Sequence, residues 1–347
     1  MSEVSVLMPV HNAGLFVEEA VRSVLQQTFT DFELVVMDDG CTDDTLSRIA
    51  QFKDPRIRVI RNERNLGIAP TLNRALDLVR TEWIARMDAD DICEPDRLAT
   101  QVAFMRAHPN LVVAGGLVRL FGDRKPVIVP QPHGVETVRA FLLFGNALVH
   151  PTVMFRRSLL ERHNLRYDPS YSCTEDYELW TRAADVAAVD NQLRVVLNLR
   201  VHGANITANM KPVMLHQTWE ILRRQLGKLG IEPSDSELER HYHLGWAIPA
   251  GSLHELKAIK QWVVRLIGSN QANKAYPIDT FREVAGQAWF RFCRNSTRLG
   301  YRVFHAYRSG ELAPAYQPTT GEMSSFLASL MFHSIIGLQR SVKERSA

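Results

Sequence analysis

Three aspartates, Asp88, Asp90 and Asp91, stand almost adjacent in RMDADDICEPDRL (Arg86–Leu98), directly after the apolar run Trp83-Ile84-Ala85. A packed helix or strand has no use for such a cluster. It is either a solvated acidic turn or a site for a hard divalent cation such as Mg2+ or Mn2+, which takes carboxylate oxygens together with substrate phosphates. Without a cation, carboxylates so close repel one another. Two further groups carry chemistry. Asp38-Asp39-Gly40 puts a carboxylate at a sharp turn, where it can accept N–H or hydroxyl groups of a base or ribose, or cap a helix. In Met8-Pro9-Val10-His11-Asn12, an imidazole and an amide follow an apolar segment, with His11 either packed or chemical.

These groups act together only if the chain brings them to one place. Val4–Met8 reads as a buried strand ended by Pro9, and residues 15–26 as a helix with Phe16, Ala20, Val24 and Leu25 on one face. Phe32–Met37 is a second strand, and Thr42 is a good N-cap for a helix to about Phe52. Ile57–Ile60 is a third strand, residues 69–79 a helix and Trp83–Met87 a fourth strand. This alternation predicts an α/β fold with a parallel sheet covered on both faces, whose ligands bind beyond the carboxyl ends of the strands. His11-Asn12, Asp38-Asp39 and Asp88–Asp91 each follow a strand, so three polar turns converge on one edge.

Beyond residue 110 the alternation breaks. Leu111–Leu120 reads as a strand around a Gly115-Gly116 break, Val127–Pro132 as loop or short strand, Pro151–Phe155 and Leu193–Val201 as strands, and Glu175–Ala184 as a helix. Acids in that helix's first turn, Glu175 and Asp176, suit the helix dipole. From about Lys211 the pattern is helical, over 212–229, 235–247, 252–267, 279–308 and 322–343. The expected domains are residues 1–210 and 211–347.

The 347 residues are 46% hydrophobic and 23% charged, which is ordinary globular composition. A net charge of +3 gives no case for nucleic-acid binding. It is divided unevenly, roughly −4 over residues 1–210 and roughly +7 over the rest. The four cysteines stand far apart, match no CxxC or zinc spacing and suit free thiols in a reducing cytosol. No signal peptide is evident, and no apolar run approaches the ~18–20 residues that span a bilayer. The expected location is cytoplasmic, either free or on the inner face of the cell membrane.

Taken in order, VSVLMPVHN, FELVVMDDGCTDDT, RNERNLGIAPTLNRAL and RMDADDICEPDRL resemble successive segments of family 2 glycosyltransferases. HPTVMFRR, TEDYELWTRAA and RVHGANIT match later family patterns, so the resemblance covers about residues 3–210. His11 stands where Tyr is common, and Cys41 where Ser is usual. The resemblance implies a GT-A fold: a Rossmann-like, mostly parallel central sheet flanked by helices, followed here by a helical C-terminal region. It implies a nucleotide-sugar donor, with a UDP-sugar favoured, and a saccharide or lipid-linked acceptor. Asp39 would bind the base, Pro9, Val10, His11 and Asn12 would line the nucleoside, and Asn65 falls in the N-x-G segment beside them. Asp88 and Ala89 would lie near the ribose, Asp90 with Asp88 would ligate Mn2+ or Mg2+, and Asp91 would bind metal or cap the next turn. His202 would complete the metal shell or be structural. Asp176 would be the catalytic base and Glu175 its support or an acceptor contact. His150 would pack or approach the acceptor.

Rival readings have less support. A nucleotidyltransferase making the sugar nucleotide is expected to show a G-x-G-x-R-x-x-P loop after strand one, where this chain has PVHNAG, and no strand is followed by G-x-G-x-x-G. A catalytically silent nucleotide-binding homologue has no need of a base such as Asp176. In the C-terminal region, Arg291, Arg294, Arg298 and Arg302 recur at helical spacing along 281–308, with Val284, Ala288, Trp289 and Phe292 on another face. Such a stripe is either a solvated face or a contact for anionic lipid headgroups or a diphosphate-bearing lipid acceptor. Ser324–Val342, with Phe326, Leu327, Leu330, Met331, Ile335 and Leu338 apolar, either lies on a membrane or pairs with a second subunit as a homodimer.

Overall fold

Val4–Val10 (β1) is extended and buried on both faces except at Pro9, the pattern of a central parallel strand. The computed structural model describes residues 2–202 and 211–345, with side chains in the last helix described as far as His333. The chain divides into two units, Met1–Leu142 with Asn146–Thr218, and Leu143–Gly145 with Trp219–Ala347.

In the first unit β1 is followed by α1 (Val17–Leu25), β2 (Phe32–Asp38), α2 (Thr45–Ile49), β3 (Ile57–Arg61), α3 (Ile68–Leu78) and β4 (Trp83–Arg86). Next come β5 (Ile92–Cys93), α4 (Arg97–Ala107), β6 (Leu111–Gly122), β7 (Val127–Val129), α5 (Val135–Phe141) and β8 (Met154–Arg156). The unit then continues with α6 (Arg157–Arg162), α7 (Glu175–Val186) and β9 (Ala188–Val201). Lys211–Gly227 (α8) carries the chain onward.

The sheet order is β3-β2-β1-β4-β8-β6-β9-β5, with β7 on β6. β3, β2, β1 and β4 are mutually parallel. β8 runs antiparallel to both β4 and β6, so β6 and its parallel partner β9 share the direction of β1. The core under it holds Val6, Met8, Val21, Val24, Leu34, Val36, Met87, Leu98, Val102 and Met154, all buried.

Several sequence expectations need correction. The helix expected from Thr42 begins only at Thr45, because the Thr42 N–H donates to Asn12 Oδ1 and Asp43 folds back onto Thr45. Gly115-Gly116 does not break β6. A Cβ on Gly116 would lie 2.8 Å from Val196, so the glycine permits close pairing with β9 where the register shifts. β9 starts at Ala188, earlier than the apolar run suggests. β5, α4, α5 and α6 have no counterpart in the sequence reading; β5 and α6, at two and six residues, are too short to leave a periodic signal.

The second unit is helical: α9 (Asp235–Gly245), α10 (Leu253–Asn273), α11 (Ile278–Asn295), α12 (Tyr301–Arg308) and α13 (Thr320–Arg345). The single helix expected over 279–308 is two helices. They are separated by a 3-10 turn at Thr297–Leu299 and by Gly300 at φ 76°, so the four arginines do not form one stripe. Arg291 and Arg294 are half-buried on α11, whereas Arg298 and Arg302 are exposed beyond the break. No helix among the described residues is long and apolar enough to cross a membrane.

Candidate active site

The ends of β1 and β2 are in register, Val10 opposite Asp38, so His11 and Asp39 emerge side by side. Asp39 is buried, and its carboxylate organises the approach to α3. Oδ1 accepts from Asn62 Nδ2 and the Leu66 N–H, each at 2.8 Å, and Oδ2 accepts from the Gly67 N–H at 2.9 Å. His11 Nδ1 lies 3.0 Å from the Asp39 carbonyl and its Nε2 3.2 Å from Asn65 Nδ2. Asn65 Oδ1 also accepts from the Gly67 N–H. Asn12, at φ 53°, uses Oδ1 to hold the backbone N–H groups of Thr42 and Asp43. His11 and Asn65 are exposed, Pro9 is half-buried and Val10 is buried.

Gly40 sits between these segments at φ 81°, and a Cβ there would come within 2.8 Å of the Asn65 nitrogen. Gly40→Ala is therefore expected to destabilise the fold by about 2 kcal/mol, measured by urea denaturation; an unchanged midpoint contradicts the packing argument. Cys41 takes a hydroxyl-like place, its Sγ accepting from the Asn12 N–H at 3.3 Å. Burial pushes the thiol up to about 11, so it remains neutral.

β4 delivers the acidic turn. Asp88, Asp90 and Asp91 present ligand atoms all within 4.8 Å of one another. Each carboxylate has a different partner. Asp88 forms a two-pronged ion pair with Arg86, 2.7 Å on both sides, and Arg86 itself is buried. Asp90 is half-buried, with Oδ2 3.0 Å from His202 Nε2. Asp91 is buried and accepts the Arg200 N–H at 2.9 Å, which ties the turn to the end of β9. Asp91 therefore anchors the turn to β9. Burial, then the charges of Asp88 and Asp90, push its carboxyl well above the usual range; burial raises Asp88 too, against the pull of Arg86. Hard carboxylate oxygens with one imidazole beside them form a donor set that fits a divalent cation, and imidazole favours Mn2+ over Mg2+. Ala89 is buried in the core beneath the turn.

Glu175 and Asp176 open α7. Asp176 Oδ2 accepts from Asn146 Nδ2 at 2.7 Å, and Oδ1 accepts from the Tyr177 N–H at 2.6 Å. Burial raises the Asp176 carboxyl, and burial together with the Asp176 charge pushes Glu175 up to about 7. His150 is buried, 2.8 Å from the Tyr167 hydroxyl and 3.7 Å from Glu175, and packs against the Trp180 ring. Burial drives it well below the ordinary histidine value, so it is neutral. Arg86 links the two acidic groups, since its charge acts on Glu175, Asp176 and Asp88 alike.

A carboxyl that titrates at about 7 in the fold and near 4.5 when unfolded binds its proton more tightly in the native state. Its contribution to stability is complete below pH ~4.5 and is lost as pH rises to ~7. Thermal melts of the wild type are expected to drop across that window and those of Glu175→Gln to drop less, because Asp88, Asp91 and Asp176 are also raised in the fold. Equal slopes in the two proteins contradict the assignment.

Residues 5–163 match the family described as Glycosyl transferase family 2. The O-antigen biosynthesis glycosyltransferase WbnJ of Escherichia coli is 30% identical over 57% of this chain and 80% of its own length. The chain belongs to glycosyl transferase family 2. Among solved structures, S. aureus TarS 1–349 in complex with UDP-GlcNAc superposes with a TM-score of 0.57 at 20% identity, covering 89% of this chain and 90% of that one. The mannosyltransferase PcManGT from Pyrobaculum calidifontis, in complex with GDP-Man and Mn2+, gives 0.54 at 16% identity over 95% and 86%. At those identities the likeness is one of fold, and the fold is GT-A.

Within this glycosyltransferase the sequence-expected residues fall into three groups. His11, Asn12, Asp39 and Asn65 form one hydrogen-bonded cluster, Asp88, Asp90, Asp91 and His202 a second, and Glu175 and Asp176 a third with His150 packed behind it. Part of RVHGANIT, residues 203–207, lies outside the described residues. Sequence reasoning missed Arg86 and Asn146. Arg86 had a local signal, a charge inside an apolar strand two positions before Asp88 and so on the same side of it. Asn146 had none, because it meets Asp176 across 30 residues.

Proposed function

We propose that this family 2 glycosyltransferase moves a sugar from a nucleoside diphosphate donor, a UDP-sugar, to a hydroxyl of a saccharide or glycolipid acceptor, inverting the anomeric centre, in synthesis of a surface polysaccharide. The observation that carries the reading is the carboxylate cluster of Asp88, Asp90 and Asp91, with His202 beside Asp90, together with a separate carboxylate pair, Glu175-Asp176, at the start of α7. WbnJ, with its O-antigen role, supports the polysaccharide setting. TarS, in complex with UDP-GlcNAc, supports the donor class. The working location in this reading is the cytoplasm, on the inner face of the cell membrane when the acceptor is lipid-linked.

The nucleoside lies against Pro9–Asn12 and Asn65, with Asp39 holding the 62–67 loop and offering its remaining lone pairs to the base. Asp88 and Asp90 would hold Mn2+ or Mg2+, with His202 beside Asp90. A divalent cation there supplies a Lewis acid that neutralises charge developing on the departing diphosphate. Asp176 takes the proton of the acceptor hydroxyl as its oxygen bonds to the anomeric carbon, and the sugar–diphosphate electron pair leaves with the diphosphate. Asn146 fixes the angle of that carboxylate. Glu175, with its carboxyl raised to about 7, is about half protonated near neutrality and so lessens the negative charge beside the base.

A panel of sugar nucleotides assayed for nucleoside diphosphate release tests the donor, and NMR of the product tests the stereochemistry. An α-linked donor is expected to give a β-linked product. Retention of configuration, or release from no donor in the panel, contradicts the proposal.

A further inference from the structure

We infer that the helical second unit carries a docking surface for an anionic phospholipid bilayer, built from α12, the segment 313–319 and the outward side of α13. This goes beyond the transfer reaction and does not depend on it.

α13 is fixed to its own unit along one side. Phe326 and Leu330 are buried there, and Thr297 Oγ1 lies 2.8 Å from Ser329 Oγ and 3.1 Å from His333 Nδ1. At about 100° per residue, Leu327, Ala328, Met331 and Phe332 fall on the opposite side. All four are exposed, Met331 at 62% and Phe332 at 61%. No Asp, Glu, Lys or Arg occurs between Glu322 and His333. A helix apolar on both sides is one whose outer face is covered by something else. Ile335 and Leu338, which continue the apolar pattern in sequence, lie outside the described side chains.

One turn nearer the helix start, Met323 and Ser324 border a cleft of about 660 Å³, lined also by Tyr307, Arg308, Tyr316 and Thr320. Helical spacing of four residues makes Leu327 and Ala328 the continuation of that border. Exposed arginines lie at the cleft and on the elements packed against α13. Arg308 lies at the cleft, Arg298 is exposed on the 3-10 turn that meets α13 at Ser329 and His333, and Arg302 is exposed on α12 beside exposed Tyr301. Of the acids in this region, Glu322 is turned to the Thr319 N–H at 2.8 Å and to the Tyr316 hydroxyl, and Glu311 is exposed on the 3-10 turn Gly310–Leu312 before the segment.

An apolar strip flanked by arginines and an aromatic ring suits the headgroup boundary of an anionic bilayer, with the strip in the acyl region and the arginines at the phosphates. A second copy of the chain fits the surface less well. A two-fold contact through this face brings two copies of the same arginine-bearing surface together, and like charges there oppose pairing.

The test is sedimentation of the full chain with vesicles of phosphatidylcholine alone and with phosphatidylglycerol added, at low and high salt. Binding to the anionic vesicles, weakened by salt, is expected. Arg298→Gln with Arg302→Gln and Arg308→Gln should lower affinity by about a hundredfold, and Phe332→Ser with Met331→Ser by at least about tenfold. All these side chains are exposed, so melting temperatures should stay level and separate a docking defect from misfolding. No binding by the wild type, equal binding to neutral and anionic vesicles, or variants that bind like the wild type would overturn the inference. So would a dimer in solution that Phe332→Ser disperses while vesicle binding is absent.

Discussion

Asp176→Asn is expected to lower kcat between about a hundredfold and ten-thousandfold, the range for removing a positioned general base. The change is nearly isosteric, and the amide can still pair with Asn146, so the helix start at Glu175 should be undisturbed. The amide keeps one acceptor for the Tyr177 N–H, and its NH2 can pair with Asn146 once that amide turns its oxygen inward, so the principal loss is the capacity to take a proton. Donor affinity, measured by titration with nucleoside diphosphate, should remain within about threefold, because transition-state interactions and ground-state binding separate in this way. Near-normal turnover with nucleotide binding retained would mean that another group removes the acceptor proton. The natural second choice is Glu175, whose carboxyl is half-ionised near pH 7.

Asp90→Ala should cost at least about a hundredfold in kcat/KM and remove the dependence on Mn2+, since second-shell losses alone reach that size. Asp88→Ala should also abolish activity, but for a mixed reason. Asp88, 36% exposed, neutralises buried Arg86 through two contacts of 2.7 Å, so its removal leaves a buried charge at a cost below the ~3–5 kcal/mol of a fully buried pair. The Asp88 variant is therefore expected to melt well below the wild type. Asp90, half-buried and paired with His202 alone among the described residues, should lose activity with little change in melting temperature. This contrast between the two aspartates distinguishes metal ligation from structural support. An Asp90→Ala protein that keeps metal-dependent turnover would contradict its role.

The first half of the fold was legible because its signals are local. Continuous apolar strands, short connections and polar turns after each strand identify a parallel sheet, and the register of β1 with β2 and β4 brings those turns to one edge. The later strands were harder because their pairing is set by distant partners. β9 extends back to Ala188 only because β6 runs alongside it, and the glycines of β6 look like a break until Val196 and Asn191 are seen against them. The helix expected over 279–308 is two because amphipathic spacing continues across the 3-10 turn at Thr297–Leu299 and Gly300, where the backbone itself changes course. In the site, residue types announced the acidic turn and the Glu175-Asp176 pair. The charges that balance them did not announce themselves, since burial of Arg86 and the approach of His202 to Asp90 are tertiary facts.

The most direct measurement is sugar transfer by the wild-type chain before and after chelation, with Mn2+ then restored. The account predicts that chelator abolishes transfer, that Mn2+ recovers it, and that Asp90→Ala shows no recovery. Transfer that proceeds unchanged in excess chelator would contradict it.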